Sequence, residues 1–159
     1  MPSRHLQRLI AAALISFSFM VMAQSLQEHV HGHGHDAMPF DLARTLHIFL
    51  MTEDGGVQQV VTRGDVADAE QVKLIQHHLT MEAAAFQKGN FADPAQLHGA
   101  TMPGLQGLQS GATRIQIAYR SLPNGAEIRF KSNDMRLITA IHRWFGSQLS
   151  EHGADAQAR

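Results

Sequence analysis

The chain has no cysteine. That excludes disulfides, a thiolate nucleophile, a thiolate metal site and c-type haem attachment. With no Cys after the apolar N-terminal run, lipid attachment of the bacterial lipoprotein kind is excluded as well. Any metal must be held by His, carboxylate, Met or backbone groups. Basic clusters are also missing, and 13 Lys and Arg stand against 14 Asp and Glu. Nucleic acid is therefore not an expected partner. No G-x-S-x-G run and no Gly-rich phosphate loop occurs, so serine-hydrolase and nucleotide-binding signatures are absent.

At 159 residues the chain has the length of one domain. Its start reads as a targeting segment. Arg4 and Arg8 precede an apolar run over residues 9–22 (LIAAALISFSFMVM), and Val21-Met22-Ala23 fits small-x-small cleavage after Ala23. The run is shorter than the roughly 20 residues that span a bilayer; an uncleaved anchor is the alternative. The expectation is a signal peptide over residues 1–23, a periplasmic or secreted location, and no membrane contact after cleavage. Residues 24–39 are polar and patternless and read as a flexible arm. Within the arm His29, His31, His33 and His35 are spaced by single, mostly small residues, a pattern that can wrap one Zn²⁺, Cu²⁺ or Ni²⁺ ion. A solvated tail with incidental metal affinity accounts for the same tract.

The folded part is expected over residues 40–153, with a disordered tail over 154–159. Residues 45–51 (TLHIFLM) form a strand by branched and aromatic content, with His47 and Phe49 on one face. Glu53-Asp54-Gly55-Gly56 turns the chain, and residues 57–61 return as a second strand. Acidic residues 65–68 suit a helix start, and Val72, Ile75, Leu79, Ala83 and Phe86 give the helix its apolar stripe. His78 and Glu82 lie one turn apart on the flank of that stripe, whereas His77 points to water. The pair can chelate a metal, hold a local hydrogen bond, or simply edge the helix. Asp93-Pro94 reads as a cap and first-turn proline of a short helical segment ending at His98, where the helix dipole also favours an imidazolium. Met102-Pro103-Gly104-Leu105 opens a second short segment. Residues 114–120 and 126–131 read as a second hairpin around Pro123-Asn124-Gly125. The last helix starts near Asp134 and runs to about His152, with Leu137, Ile138, Ile141, Trp144 and Phe145 as its buried stripe and His142 at the stripe's edge. The expected class is α+β, a two-layer sandwich: a four-stranded antiparallel sheet in ββα-ββα order with both helices on one face.

Six short stretches stand out beyond this pattern. They are Met38-Pro39-Phe40-Asp41-Leu42, Thr45-Leu46-His47-Ile48-Phe49, Gly55-Gly56-Val57-Gln58, Leu97-His98-Gly99 with Met102-Pro103-Gly104-Leu105, His142-Arg143-Trp144-Phe145, and Glu151-His152-Gly153. In these the chain resembles an uncharacterised family of small exported bacterial proteins carrying MPFDL, T-x-H-x-F, GGVQ, IHG-x-x-MPGL, H-x-WF and DHG. Leu97 stands for Ile and Glu151 for Asp. The resemblance spans residues 38–153 and implies no established activity. Members are sometimes labelled aspartate carbamoyltransferase. That activity needs two α/β domains and a Ser-Thr-Arg-Thr-Arg phosphate-binding run, and here only the isolated pairs Thr62-Arg63 and Thr113-Arg114 occur.

The expected function is an exported metal-binding protein, with a metal ion or small ligand as partner and copper or zinc as the ion. His78 and His98 are the first ligand candidates, with Glu82 or Met102 as a third; Glu82 favours Zn²⁺ and Met102 favours copper, Cu(I) above all. His47, His142 and His152 join if the fold brings them near. A metal-free binding module with structural histidines is the alternative. Two others are b-type haem in a slot lined by Phe86, Trp144 and Phe145, and a small metal-dependent hydrolase with three protein ligands and an open position. The reading leans away from an enzyme.

Overall fold

The structure is a computed structural model that describes residues 38–64 and 68–159. The expected signal peptide, the arm imidazoles His29, His31, His33 and His35, and residues 65–67 lie outside the described residues.

Two hairpins make the sheet. Strands β1 (Thr45–Thr52) and β2 (Gly55–Thr62) pair antiparallel, as do β3 (Gln116–Leu122) and β4 (Gly125–Lys131). Antiparallel pairing of β2 with β4 joins the two hairpins. A fifth strand, β5 (Ala156–Ala158), runs parallel to the outer side of β1, giving the order β3-β4-β2-β1-β5. The α+β class is as expected. The four-stranded, wholly antiparallel sheet is not, because the C-terminal residues expected to be disordered form this edge strand. Nothing in Ala156-Gln157-Ala158 favours a strand. Long-range contacts hold it: the Arg63 guanidinium donates to Thr45 O at 2.7 Å, Ala154 O at 3.1 Å and Asp155 Oδ1 at 2.8 Å.

Among the described residues there are four α-helices: α1 (Ala69–Phe86), α2 (Ala92–His98), α3 (Leu105–Gly111) and α4 (Met135–His152). The Asp68 carboxylate caps α1 by accepting from the backbone N–H of Glu70 and Gln71, and Asp134 caps α4 through Arg136 N–H. Helix α2 begins two residues earlier than the Asp-Pro pair implies. Its N-cap is Phe91, without a side-chain bond, and Asp93 sits inside the first turn.

Helices α1 and α4 cover one face of the sheet, α1 over β2, β3 and β4 and α4 over β1, β2 and β5. Phe130 of β4 touches both helices, with Phe86 of α1 at 6.1 Å and Trp144 of α4 at 5.5 Å between ring centroids. Trp144 meets Phe86 and Phe91 edge-on, and those two rings stack at 4.4 Å. Removing the fully buried Trp144 from water is worth about 5 kcal/mol for a ring of roughly 200 Å². Helix α4 comes close to β2 at Gly56, where a Cβ would stand 2.5 Å from Phe145 Cε2. Helix α3 lies on α4 through Gly104, Gly107 and Gly111, whose hypothetical Cβ atoms would meet Ala140 or Leu137 within 3 Å.

Gly104 combines positive φ with this close approach: φ is 87° and a Cβ would lie 2.1 Å from Ala140 O. Gly99 has φ 91° but open space around it. Gly104→Ala should therefore cost about 3 kcal/mol or more in urea unfolding, and Gly99→Ala only about 1–2 kcal/mol. Equal losses would show that the α3–α4 seat is looser than drawn.

Candidate functional site

Strand alternation places His47 and Phe49 of β1 and Gln58 and Val60 of β2 on the helix-covered face, paired as His47 with Val60 and Phe49 with Gln58. At the β1 side of this face the two layers do not close. A cavity of about 40 Å³ remains, room for one or two waters or an ion. Helix α1 contributes His78, Leu79 and Glu82 to its wall; α2 contributes Asp93, Pro94, Leu97 and His98. Helix α4 adds Trp144, Gln148 and His152, one turn apart along its buried side, and the segment before β1 adds Met38 and Phe40.

Imidazoles form much of this wall. His47 stacks on His152 with ring centroids 4.5 Å apart, and His98 tilts against His152 at 5.2 Å. Phe40 lies against His47 at 6.1 Å and edge-on to His78 at 5.6 Å. His98 Nδ1 is 2.6 Å from Glu151 Oε2. This carboxylate contact favours the proton on Nδ1 and turns the Nε2 lone pair away from it, the arrangement that orients metal-ligating and proton-accepting histidines. His78 Nε2 and Glu82 Oε1 are 4.0 Å apart, too far for the local hydrogen bond that their spacing permits.

Among the described residues three buried side-chain polar atoms lack a hydrogen-bond partner: His47 Nδ1, Gln58 Oε1 and Trp144 Nε1. All three belong to residues that line this one cavity. Each such group costs about 1–3 kcal/mol when left unsatisfied.

Burial also sets the protonation states. It pushes His47 down to about 4, helped by the neighbouring His78 and His98. His78 is likewise lowered by burial, with Asp93 opposing and His77 adding to the shift. Burial and then the Asp93 charge push the Glu82 carboxyl up to about 8. At neutral pH His47 and His78 are thus neutral, with lone pairs available, and Glu82 holds its proton.

The sequence-derived candidates divide clearly. His47, His78, Glu82, His98 and His152 share the cavity wall. Met102 does not; its buried side chain borders a separate surface hollow with Thr101, Pro103 and Gln106. His142 is also elsewhere, where its Nε2–H reaches Gly55 O at 2.8 Å and Thr52 O at 3.0 Å and ties α4 to the β1–β2 turn. Of the three aromatics expected to line a haem slot, only Trp144 reaches the cavity, and a space of 40 Å³ takes no porphyrin. Among the described residues no three His, Asp or Glu groups already converge as a metal-binding set. The sequence reading missed Gln58, Asp93, Met38 and Glu151. Gln58 carried a legible signal, since alternation puts it on the same side as Val60. Met38, assigned to the flexible arm, is buried. Apart from Met102–Leu105, every short stretch singled out in the sequence puts a residue on this wall.

Comparison of the chain with family models, with curated proteins and with solved structures finds no match.

The shifted groups predict a pH profile of stability, with His78, lowered like His47, adding to the slope that His47 gives. His47 has a folded value near 4 against 6.5 ordinarily; the unfolded chain binds more protons between these values, and stability rises with pH. Glu82 has a folded value near 8 against 4.5; the folded state binds more protons there, and stability falls with pH until about 8. The opposing slopes overlap up to about 6.5, after which Glu82 acts alone. Chemical denaturation should give a decline from about pH 6.5 to 8 that Glu82→Gln abolishes; an unchanged decline in that variant would remove Glu82 as its cause.

Proposed function

We propose that this is an exported transition-metal-binding protein whose folded-domain site is the imidazole cavity. The observation that carries the reading is that one cavity is lined by four imidazoles, a buried carboxyl and three residues, His47 among them, that each have a partnerless buried polar atom. The chemistry suits a cation. Neutral imidazoles offer lone pairs, and a buried carboxyl whose proton is held by burial and by the neighbouring Asp93 charge releases it when a cation arrives. His47 and His98 are the leading ligands, His98 because Glu151 orients it and His47 because Nδ1 is uncommitted. His78 or Glu82 completes the set by a rotamer change into the cavity. Nitrogen and oxygen donors of this kind fit Zn²⁺ and Cu²⁺. The His29–His35 tract would serve as a capture arm that delivers or buffers the same ion.

A metal-free binding module is the second reading, favoured by the fact that no three ligand groups converge among the described residues. One experiment separates the two. The chain from Gln24 and a chain starting at Met38 are purified without an affinity tag, and their zinc and copper content is measured. The expected result is about one ion retained by the shorter chain, lost in His47→Ala and in His98→Ala. His142→Gln is the control: it should lower stability by about 1–2 kcal/mol by removing the turn contacts and leave the metal content unchanged. Loss of all metal with the arm would defeat the cavity as a metal site.

A further inference from the structure

Helices α1 and α4 cover one face of the sheet. A sheet covered on one face ordinarily turns polar side chains to the other. The β1–β2 half of the opposite face does the reverse. Leu46, Ile48 and Leu50 of β1 point there, beside Val57, Gln59 and Val61 of β2. Leu50 is 40 % exposed, Leu46 and Val61 are half-buried, and Ile48 and Val57 lie lower between them. The β3–β4 half of the same face is charged, with Arg120, Glu127, Arg129 and Lys131. The strand register sets two middle rows across the face. One is Ile48, Gln59, Glu127 and Arg120; the next is Leu50, Val57, Arg129 and Ala118.

We propose that this face binds a second copy of the chain, the two sheets packing face to face about a two-fold axis. An axis running along the strands would set the apolar half on the partner's charged half, where the charges lose water and gain nothing. An axis across the strands lays each strand over its own counterpart in the reverse direction, so that apolar meets apolar and charged meets charged. Centred between the two middle rows, that axis exchanges them. Ile48 then lies over the partner's Leu50 and Glu127 over the partner's Arg129, and each contact occurs twice. The groups have capacity for it. Glu127 receives Gln59 on Oε2 and Arg120 on Oε1, both at 2.8 Å, and each oxygen keeps a lone pair. Arg129 holds Asp54 through Nη2 alone, at 3.0 and 3.2 Å, which leaves Nη1 and Nε to donate. The size is also sufficient only when both halves take part. Four strands about 4.8 Å apart and about 25 Å long present roughly 500 Å² in projection, against about 800 Å² of accessible surface per partner in a standard interface. The dimer is therefore of about micromolar strength. A nucleic acid or an anionic membrane fits this face poorly, because Glu127 would oppose it. The face is on the far side of the sheet from the imidazole cavity, so the dimer is independent of metal.

The test is sedimentation velocity on the protein as the cell leaves it, purified without an affinity tag and held in EDTA. The expected result is a dimer at about 100 µM that dissociates on dilution. Leu50→Lys should give a monomer with an unchanged circular dichroism spectrum. Arg129→Glu sets Glu127 against the partner's new carboxylate, and Glu127→Lys sets the new ammonium against the partner's Arg129. Each variant alone should dimerise about tenfold more weakly or worse. Mixed in equal amounts, the two should pair with each other, because both contacts then join opposite charges. Should Glu127→Lys fail to fold, Leu50→Lys and Arg129→Glu decide the matter by themselves. A protein that is monomeric at about 100 µM in EDTA, or dimeric only when metal is added, overturns the proposal. So does a dimer that Leu50→Lys leaves intact, since another surface then forms it. Folded charge variants that stay monomeric on mixing overturn the antiparallel register.

Discussion

Helix α4 rests on β2 where Gly56 lets Phe145 lie against the strand, and this seat sets the positions of everything else. With Phe145 down, Trp144 turns into the space between the layers and meets Phe86, Phe91 and Phe130. The rings fill the β4 half of the interface. Toward β1 the same helix presents Gln148 and His152 instead of large apolar side chains, and the layers there enclose a cavity. One helix thus supplies the densest part of the core and, one and two turns on, the polar wall of the candidate site.

Placing that wall inside the protein works against stability. Hydrophobic burial elsewhere must offset the three unpartnered polar atoms and the buried carboxyl. The aromatic cluster beside the cavity is where that stabilisation is concentrated. Local cost of this kind, held in place by a well-packed neighbour, is the usual arrangement of a binding site. The same burial keeps His47 and His78 neutral and Glu82 protonated.

Much of the fold was legible. Both hairpins, the α1 stripe and the course of α4 follow from alternation, 3.6-residue periodicity and capping by Asp68 and Asp134. The candidate site was legible in part. His78, Glu82 and His98 were found because they crowd a short length of chain, and His47 and His152 because a strand face and a helix stripe point them inward. Met102 and His142 were misplaced for the same reason in reverse: closeness along the chain, or a position at a stripe's edge, does not say which neighbour a side chain meets. His142 meets the carbonyls of Thr52 and Gly55, about 90 residues away in sequence.

By itself the sequence determined the element types, the faces of β1, β2, α1 and α4, and the kinds of ligand atom available, because these depend on local periodicity and on composition. Only the tertiary structure decided that β5 pairs with β1, that Glu151 orients His98, and that Gln58, Trp144 and His47 bring unpartnered polar atoms to one cavity. Those relations are set by the crossing of elements far apart in the chain. A side chain's own neighbours in sequence carry no record of what packs against it from the opposite layer.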